Sequence, residues 1–217
     1  MSRWTIQARQ QAADAILTRA PVVPVLKIDR IDDAVPLARA LVENGLPVLE
    51  ITLRTDIAYA AMEAIARDVP EAIVGAGTVL RASDLKAVID AGAVFAIAPG
   101  ATDALYAAAD TIAIPFIPAI ATASELMRGL DAGHVRFKFF PAESSGGIGA
   151  LRAFSGPFAQ VKFCPTGGID AAKAPGYLAL SNVITVGGSW MVPGEAIASR
   201  DWGAIGRLAK ACTQLRA

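Results

Sequence analysis

The sequence predicts a single-domain α/β protein of the (β/α)8 barrel class, and three observations carry that prediction. Short β-rich runs alternate with Ala-rich helical stretches along the whole chain. There are eight such runs, and their starts recur roughly every 20–26 residues, the length of a strand, a loop and a helix. The glycine-rich turns come late, after the seventh and eighth runs, where barrels of this class often hold phosphate. A doubly wound open sheet is the competing architecture. It favours a Gly-rich loop after the first strand, whereas here the first strand runs out through Leu26-Lys27-Ile28-Asp29-Arg30 with no glycine.

Taken in order, a helix over Gln7–Thr18 precedes the first strand and is expected to cap the bottom of the barrel. The predicted strands are Val22–Ile28, Pro47–Leu53, Ala72–Val79, Val94–Pro99, Ile114–Ile120, Val135–Phe140, Val161–Pro165 and Val183–Val186. Asp32–Asn44 has apolar positions at helical spacing and ends before Gly45, a C-terminal cap. Ser83–Ala91 reads as a helix opened by a Ser cap and stopped before Gly92. Thr122–Ala132 opens on Thr122 with Glu125 three residues on, a capping-box pattern, and stops before Gly133. The endings Asn44-Gly45, Ala91-Gly92 and Ala132-Gly133 make a quasi-repeat of strand, helix and glycine. No linker or composition shift divides the chain, so residues 1–217 read as one domain.

Composition narrows the function classes. Of 217 residues, 54% are hydrophobic and 18% charged, enough apolar material for one sizeable core and too much for disorder. Lys plus Arg equals Asp plus Glu at 20 each, so no basic footprint points to nucleic acid or an anionic membrane. An anionic ligand must then be held by local groups. Two cysteines, Cys164 and Cys212, make no disulfide framework, and Cys164 sits in an apolar run as a small core residue. One histidine and two distant cysteines compose no zinc site, and no metal is expected. Met1–Gln10 is polar, with no apolar signal-peptide core, and no apolar run approaches the ~20 residues that span a bilayer. The expected location is the cytosol.

The second strand reads Val48-Leu49-Glu50-Ile51-Thr52-Leu53-Arg54-Thr55. Side chains alternate, so Glu50, Thr52 and Arg54 share one face and Leu49, Ile51 and Leu53 the other. In a barrel the polar set faces the axis, where charges are costly unless paired or functional. A structural Glu50–Arg54 pair plugging the barrel is the alternative use of the same residues.

The sixth strand places Lys138 among Phe137, Phe139 and Phe140. Lysine is rare in so apolar a strand. Desolvation there favours the free amine over the ammonium, which is what a Schiff-base lysine requires. A lysine snorkelling from a strand edge is the bland alternative, and a closed barrel has no edge. Arg136 has the same parity as Lys138, lies nearer the barrel bottom and is assigned a structural role. His134, at the start of this strand, is far from the catalytic end and reads as a surface residue.

Two glycine turns complete the set, Cys164-Pro165-Thr166-Gly167-Gly168-Ile169 and Val186-Gly187-Gly188-Ser189-Trp190. Glycine lets backbone N–H groups approach a phosphate, a following helix adds its dipole, and Ser189 offers a hydroxyl. In the third strand, Gly75 and Gly77 remove bulk inside the barrel and Thr78 presents a hydroxyl near its top.

With these residues in place, the chain resembles the bacterial 2-keto-3-deoxy-6-phosphogluconate (KDPG) aldolases, also described as 4-hydroxy-2-oxoglutarate aldolases. The resemblance runs over nearly the whole chain. It is carried by PVVPVLKI (21–28), VLEITLRT (48–55), EAIVGAGTVL (71–80), FAIAPG (95–100), FKFFPAE (137–143), FCPTGGI (163–169) and VGGSWMVP (186–193). FKFFPAE and VGGSW together are highly specific.

The resemblance implies a homotrimer of TIM barrels, class I aldolase chemistry without metal or organic cofactor, and a place in Entner–Doudoroff sugar-acid breakdown. It makes Lys138 the Schiff-base residue and Glu50 the proton shuttle. It assigns the keto-acid end of the substrate to Arg54, Thr78, Pro99 and Phe140. The phosphate falls to Thr166, Gly167, Gly168, Gly187, Gly188 and Ser189. One departure stands out: the family commonly has Pro-Gly after strand five where this chain has Pro118-Ala119. The added methyl is expected to tighten the rim near the substrate. The rival readings are an aldolase for the galactonate epimer or the unphosphorylated substrate, a phosphate-binding isomerase that forms no imine, and a non-catalytic sugar-phosphate binder.

Overall fold

The computed structural model describes residues 4–215. Seven of the eight predicted strand regions contain strand, shortened at one or both ends and in the fifth divided in two, while the last shares only Val186 with its strand. In chain order the elements are α1 (Ile6–Leu17), β1 (Val22–Leu26), α2 (Ile31–Val42), β2 (Val48–Thr52), α3 (Ala58–Asp68), β3 (Ile73–Gly77), α4 (Ala82–Asp90), β4 (Phe95–Ile97), α5 (Asp103–Ala109), β5 (Phe116–Ile117), β6 (Ala119–Ile120), α6 (Ala123–Asp131) and β7 (Arg136–Phe139). After a 3-10 turn (Glu143–Ser145) come α7 (Gly147–Ser155), β8 (Lys162–Pro165), α8 (Ala174–Leu178), β9 (Val186–Gly188), α9 (Gly194–Ala198) and α10 (Trp202–Cys212). Among the described residues no helix is long and apolar enough to cross a membrane.

All the strand pairs are parallel, and the result is an α/β fold with a curled parallel sheet. The expected eight-strand barrel is not one continuous ladder. Six strands pair in the order β5-β4-β3-β2-β1-β9, and three pair as β6-β7-β8. The break falls at Pro118, between β5 and β6. Proline has no N–H to give a ladder, so predicted strand five is cut in two. One half pairs with β4 and the other with β7. Between β8 and β9 the contact thins to single bridges, Phe163 with Val183 and Thr166 with Gly187. The last strand lies later than predicted, at Val186–Gly188 rather than Val183–Val186.

The core has two parts because strand side chains alternate. Leu49 and Ile51 of β2, with Phe137 and Phe139 of β7, pack outward against the helices. Val23, Val48, Phe95, Ile97, Ile117 and Cys164 face inward and form a smaller cluster, into which α1 sends Ala13, Ile16 and Leu17. Two ion-paired arginines add to this seam. Arg136 of β7 donates to both carboxylate oxygens of Asp14 on α1, at 2.5 and 2.8 Å, and to the carbonyls of Val135 and Gln160.

Arg9 of α1 reaches His134, which corrects the expectation of a surface histidine. His134 is 1% exposed, and its Nε2 accepts from Arg9 Nη1 at 2.9 Å. Arg9 also pairs with Asp110 at 2.5 Å, and Tyr106, Phe116 and Phe137 surround the imidazole. Burial, reinforced by the neighbouring Arg9 charge, depresses the His134 pKa to about 3, so the ring is neutral.

Helix starts follow local chemistry. The Thr122–Glu125 capping box forms as read. The Ser83 cap does not: Arg81 is the cap residue of α4, and the Asp84 carboxylate accepts from the Leu80 and Arg81 amides. A carboxylate three residues into the helix reaches back to both free amides ahead of it.

Candidate active site

Strand parity carries Glu50 and Lys138 to the interior. Glu50 is 2% and Lys138 5% exposed. They come from strands of the two separate ladders, so they meet across the inside of the curl. Lys138 Nζ donates to Glu50 Oε1 at 2.9 Å and Oε2 at 3.2 Å. The Phe140 ring centroid lies 5.4 Å from the same nitrogen. The lysine is therefore not caged by its flanking phenylalanines, as the sequence suggested. Phe137 and Phe139 have the opposite parity and face the helices. Its Nζ has a carboxylate partner in place of an apolar cage.

The carboxylate occupies a slot left by a missing side chain. A Cβ built on Gly77 would lie 2.3 Å from Glu50 Oε1 and 2.6 Å from its Cγ. Beside Lys138 in register stand Ala119 on β6 and Cys164 on β8. Ala119 is thus a buried neighbour of the lysine strand, 2% exposed, and not part of a rim. Burial pushes the Cys164 thiol up to about 12, so it stays protonated and offers no competing nucleophile.

The Glu50–Arg54 alternative does not form, because Glu50 is engaged by Lys138. Arg54 lies just past the end of β2 and is exposed. Its Nε donates to Thr52 Oγ1 at 3.0 Å, and Thr52 donates to the Leu26 carbonyl at 2.8 Å. Among the described residues no carboxylate lies within ion-pair distance of Arg54, so its charge is available to an anion. Thr78, Pro99 and Phe140 follow β3, β4 and β7 at the same end and are half-buried. Thr78 adopts φ 60°, the left-handed region, at a cost of about 1–2 kcal/mol for a residue with a Cβ.

The two glycine turns lie side by side, joined by the Thr166–Gly187 bridge. Gly167 and Gly168 have φ 108° and 76°, which L side chains rarely adopt. Gly187 and Gly188 are required by contact: a Cβ would come within 2.2 Å of Thr166 Oγ1 or 1.9 Å of the Trp190 ring. Among the described residues the amides of Gly168 and Ser189 are spent on no other protein group. Ser189 is exposed and Thr166 buried. The expected helix dipole is not at these turns, since α8 and α9 are five residues each and begin further along, at Ala174 and Gly194. The donors at the turns are their own amides.

Sequence reading missed three residues that hold this end together, Glu143, Lys173 and Tyr177. Glu143 closes the FKFFPAE motif, so its position was visible and its partners were not.

A lysine and a carboxylate meeting inside a curled parallel sheet, below two glycine turns, define an α/β enzyme of the lysine-dependent aldolase class. The chain belongs to the KDPG and KHG aldolase family, whose model matches residues 13–208. It is 54% identical over 210 residues to the KHG/KDPG aldolase of Escherichia coli (strain K12), covering 97% of this chain and 96% of that protein. It is 52% identical, over the same shares, to the 2-dehydro-3-deoxy-phosphogluconate aldolase of Dickeya dadantii (strain 3937). Among solved structures, the KDPG aldolase of Legionella pneumophila superposes with a TM-score of 0.91 at 48% identity, over 93% of this chain and 98% of that one. That structure holds pyruvate captured at low pH as a covalent carbinolamine intermediate.

Proposed function

We propose that this protein is a class I aldolase that cleaves 2-keto-3-deoxy-6-phosphogluconate to pyruvate and D-glyceraldehyde 3-phosphate, and that it also accepts 4-hydroxy-2-oxoglutarate. The observation that carries the reading is the Lys138–Glu50 contact at 2.9 Å. The 54% and 52% identical relatives bear names of these activities.

In this mechanism Glu50 takes a proton from Lys138, and the free amine attacks the C2 ketone to give a carbinolamine. The covalent pyruvate adduct of the Legionella protein is a species of this kind. Glu50 returns the proton to the departing hydroxyl, water leaves, and a protonated imine remains. Glu50 then removes the C4 hydroxyl proton. The C3–C4 bond breaks, its electrons flow into the imine, and the aldehyde departs from an enamine. Protonation at C3 by Glu50 and hydrolysis of the imine release pyruvate and restore Lys138.

Arg54 pairs with the substrate carboxylate, and Thr78, Pro99 and Phe140 shape that end. The Thr166–Gly168 and Gly187–Ser189 turns take the phosphate, a remote contact that positions C4 over the lysine. Residues 1–217 work as one domain, with the two sheets closing as a (β/α)8 barrel, and three copies associate.

The deciding experiment is incubation with pyruvate and sodium borohydride, followed by peptide mass spectrometry. A reduced adduct on Lys138 is expected. An adduct on another lysine, or none in folded protein, would overturn the assignment. Light scattering on an eluting peak tests the trimer: the mass of one or two chains would remove it.

A further inference from the structure

Behind the first glycine turn sits a charged cluster that the mechanism does not use. Glu143 lies on the 3-10 turn after β7, five residues beyond Lys138 in sequence. Its carboxylate accepts from the Tyr177 hydroxyl of α8 and pairs with Lys173 Nζ at 2.8 Å. Lys173 Nζ also donates to the Gly168 carbonyl at 2.8 Å, and so holds the turn itself.

The backbone repeats the connection. The Ala142 amide donates to the Thr166 carbonyl at 2.8 Å, and the Glu143 amide to the Gly167 carbonyl at 3.1 Å. The Glu143 stem lies on Gly168, where an added Cβ would come 2.8 Å from Glu143 Cγ. Tyr177 is 1% exposed, so one end of the cluster is anchored in the core, while Lys173 is half exposed. Lys173 and Tyr177 hold Glu143 below the usual carboxylate range, which keeps it an acceptor for both.

A turn with two glycines at positive φ has many alternative conformations, and its amides point at a ligand only if something outside it restricts them. Here the restriction comes from Glu143 and Lys173, which carry the loop after the lysine strand onto the turn. We propose that Glu143, Lys173 and Tyr177 are positioning residues that hold the Gly167-Gly168 turn ready for a phosphate, and thereby set the preference for phosphorylated over unphosphorylated 2-keto acids. The inference rests on the aldolase reading and goes beyond it. None of the three touches substrate. They act through the turn, so their loss weakens only those substrates that use it.

The test is the ratio of kcat/KM on 2-keto-3-deoxy-6-phosphogluconate to that on 4-hydroxy-2-oxoglutarate, for the wild type, Lys173→Ala, Lys173→Arg and Glu143→Ala. Lys173→Ala changes an exposed side chain, so the fold is kept. We expect it to raise KM for the phosphorylated substrate about fivefold, with kcat on the unphosphorylated one and borohydride trapping of pyruvate unchanged. Glu143→Ala removes the common acceptor and is expected to raise that KM about tenfold. Lys173→Arg, which keeps donors for both partners, is expected to restore most of the ratio. If wild type cleaves both substrates and the Lys173→Ala and Glu143→Ala ratios stay within twofold of it, or both substrates weaken equally, the positioning role is wrong while the aldolase reading stands. A wild type that traps no pyruvate overturns both.

Discussion

Arg136 and Lys138 stand two positions apart on β7, share a face of the strand, and are both buried against a carboxylate. Arg136 reaches toward α1, where Asp14 and two backbone carbonyls take its donors. A guanidinium does not give up its proton, so that pair is fixed in charge as well as in place. Lys138 reaches the inside of the curl, where among the described residues Glu50 alone accepts from its Nζ. An ammonium can pass a proton to a carboxylate 2.9 Å away and become a nucleophile. In the proposed mechanism, what separates the structural cation from the reactive one is how many partners hold it and whether its proton can leave, since burial and parity are shared.

The strongest way to break this comparison is at the lysine. Lys138→Arg keeps a cation beside Glu50 but cannot form an imine. Turnover should fall by at least about a thousandfold, as in Lys138→Ala, with no borohydride adduct. A Lys138→Arg enzyme with activity near that of wild type would sink the distinction.

The next effect is at the carboxylate slot. In Gly77→Ala the new methyl competes for the space of Glu50 Oε1, so Glu50 must move away from Lys138. A displacement near 1 Å costs about a hundredfold in kcat, with KM little changed. Steady-state kinetics with both substrates checks it, and a rise in KM at constant kcat would contradict it.

At the other cation the expected effect is on stability. Arg136→Met leaves Asp14 without its partner and should cost about 2–3 kcal/mol, below the cost of breaking a fully buried pair because Asp14 is partly exposed. Urea melts should show the loss while kcat stays within about twofold.

The smallest effect is acid sensitivity near α1. His134 is neutral in the fold, with its pKa depressed from 6.5 to about 3, so the unfolded chain binds the extra proton between those values. Its contribution is complete above about pH 6.5 and is lost as pH falls toward 3. Between about pH 7 and pH 5 the wild type should lose about 2 kcal/mol that a His134→Asn variant does not. Parallel melts at the two pH values with equal slopes for both proteins would remove the effect.

These regions were not equally legible in the sequence. Alternation in VLEITLRT and in VRFKFF placed Glu50 and Lys138 inside, because a strand of period two with a polar set and an apolar set admits one burial pattern. Their pairing was not legible. The two residues are 88 apart in the chain, and a nearer cation, Arg54, stood in the same motif. Only the curl of the sheet decides between them. His134 failed for the same reason in reverse: its neighbours in sequence, Gly133 and Val135, gave no hint of Arg9, 125 residues away. The division at Pro118 could have been read, since proline inside a run weakens a ladder. The Lys173–Glu143 clamp could not, because it depends on two loops meeting.

The distances in sequence that join α1 to the rest also carry a consequence for synthesis. Arg9 and Asp14 find His134 and Arg136 only 125 and 122 residues later. At translation rates of about 5–20 residues per second, α1 exists for roughly 6–25 seconds before strand β7 has been made. Ala13, Ile16 and Leu17 have no complete seat during that interval. The apolar face of α1 waits longer still: β7 brings the partners of Arg9 and Asp14, but Cys164 and Ile184, which complete the cluster around Ala13, Ile16 and Leu17, are made only afterwards.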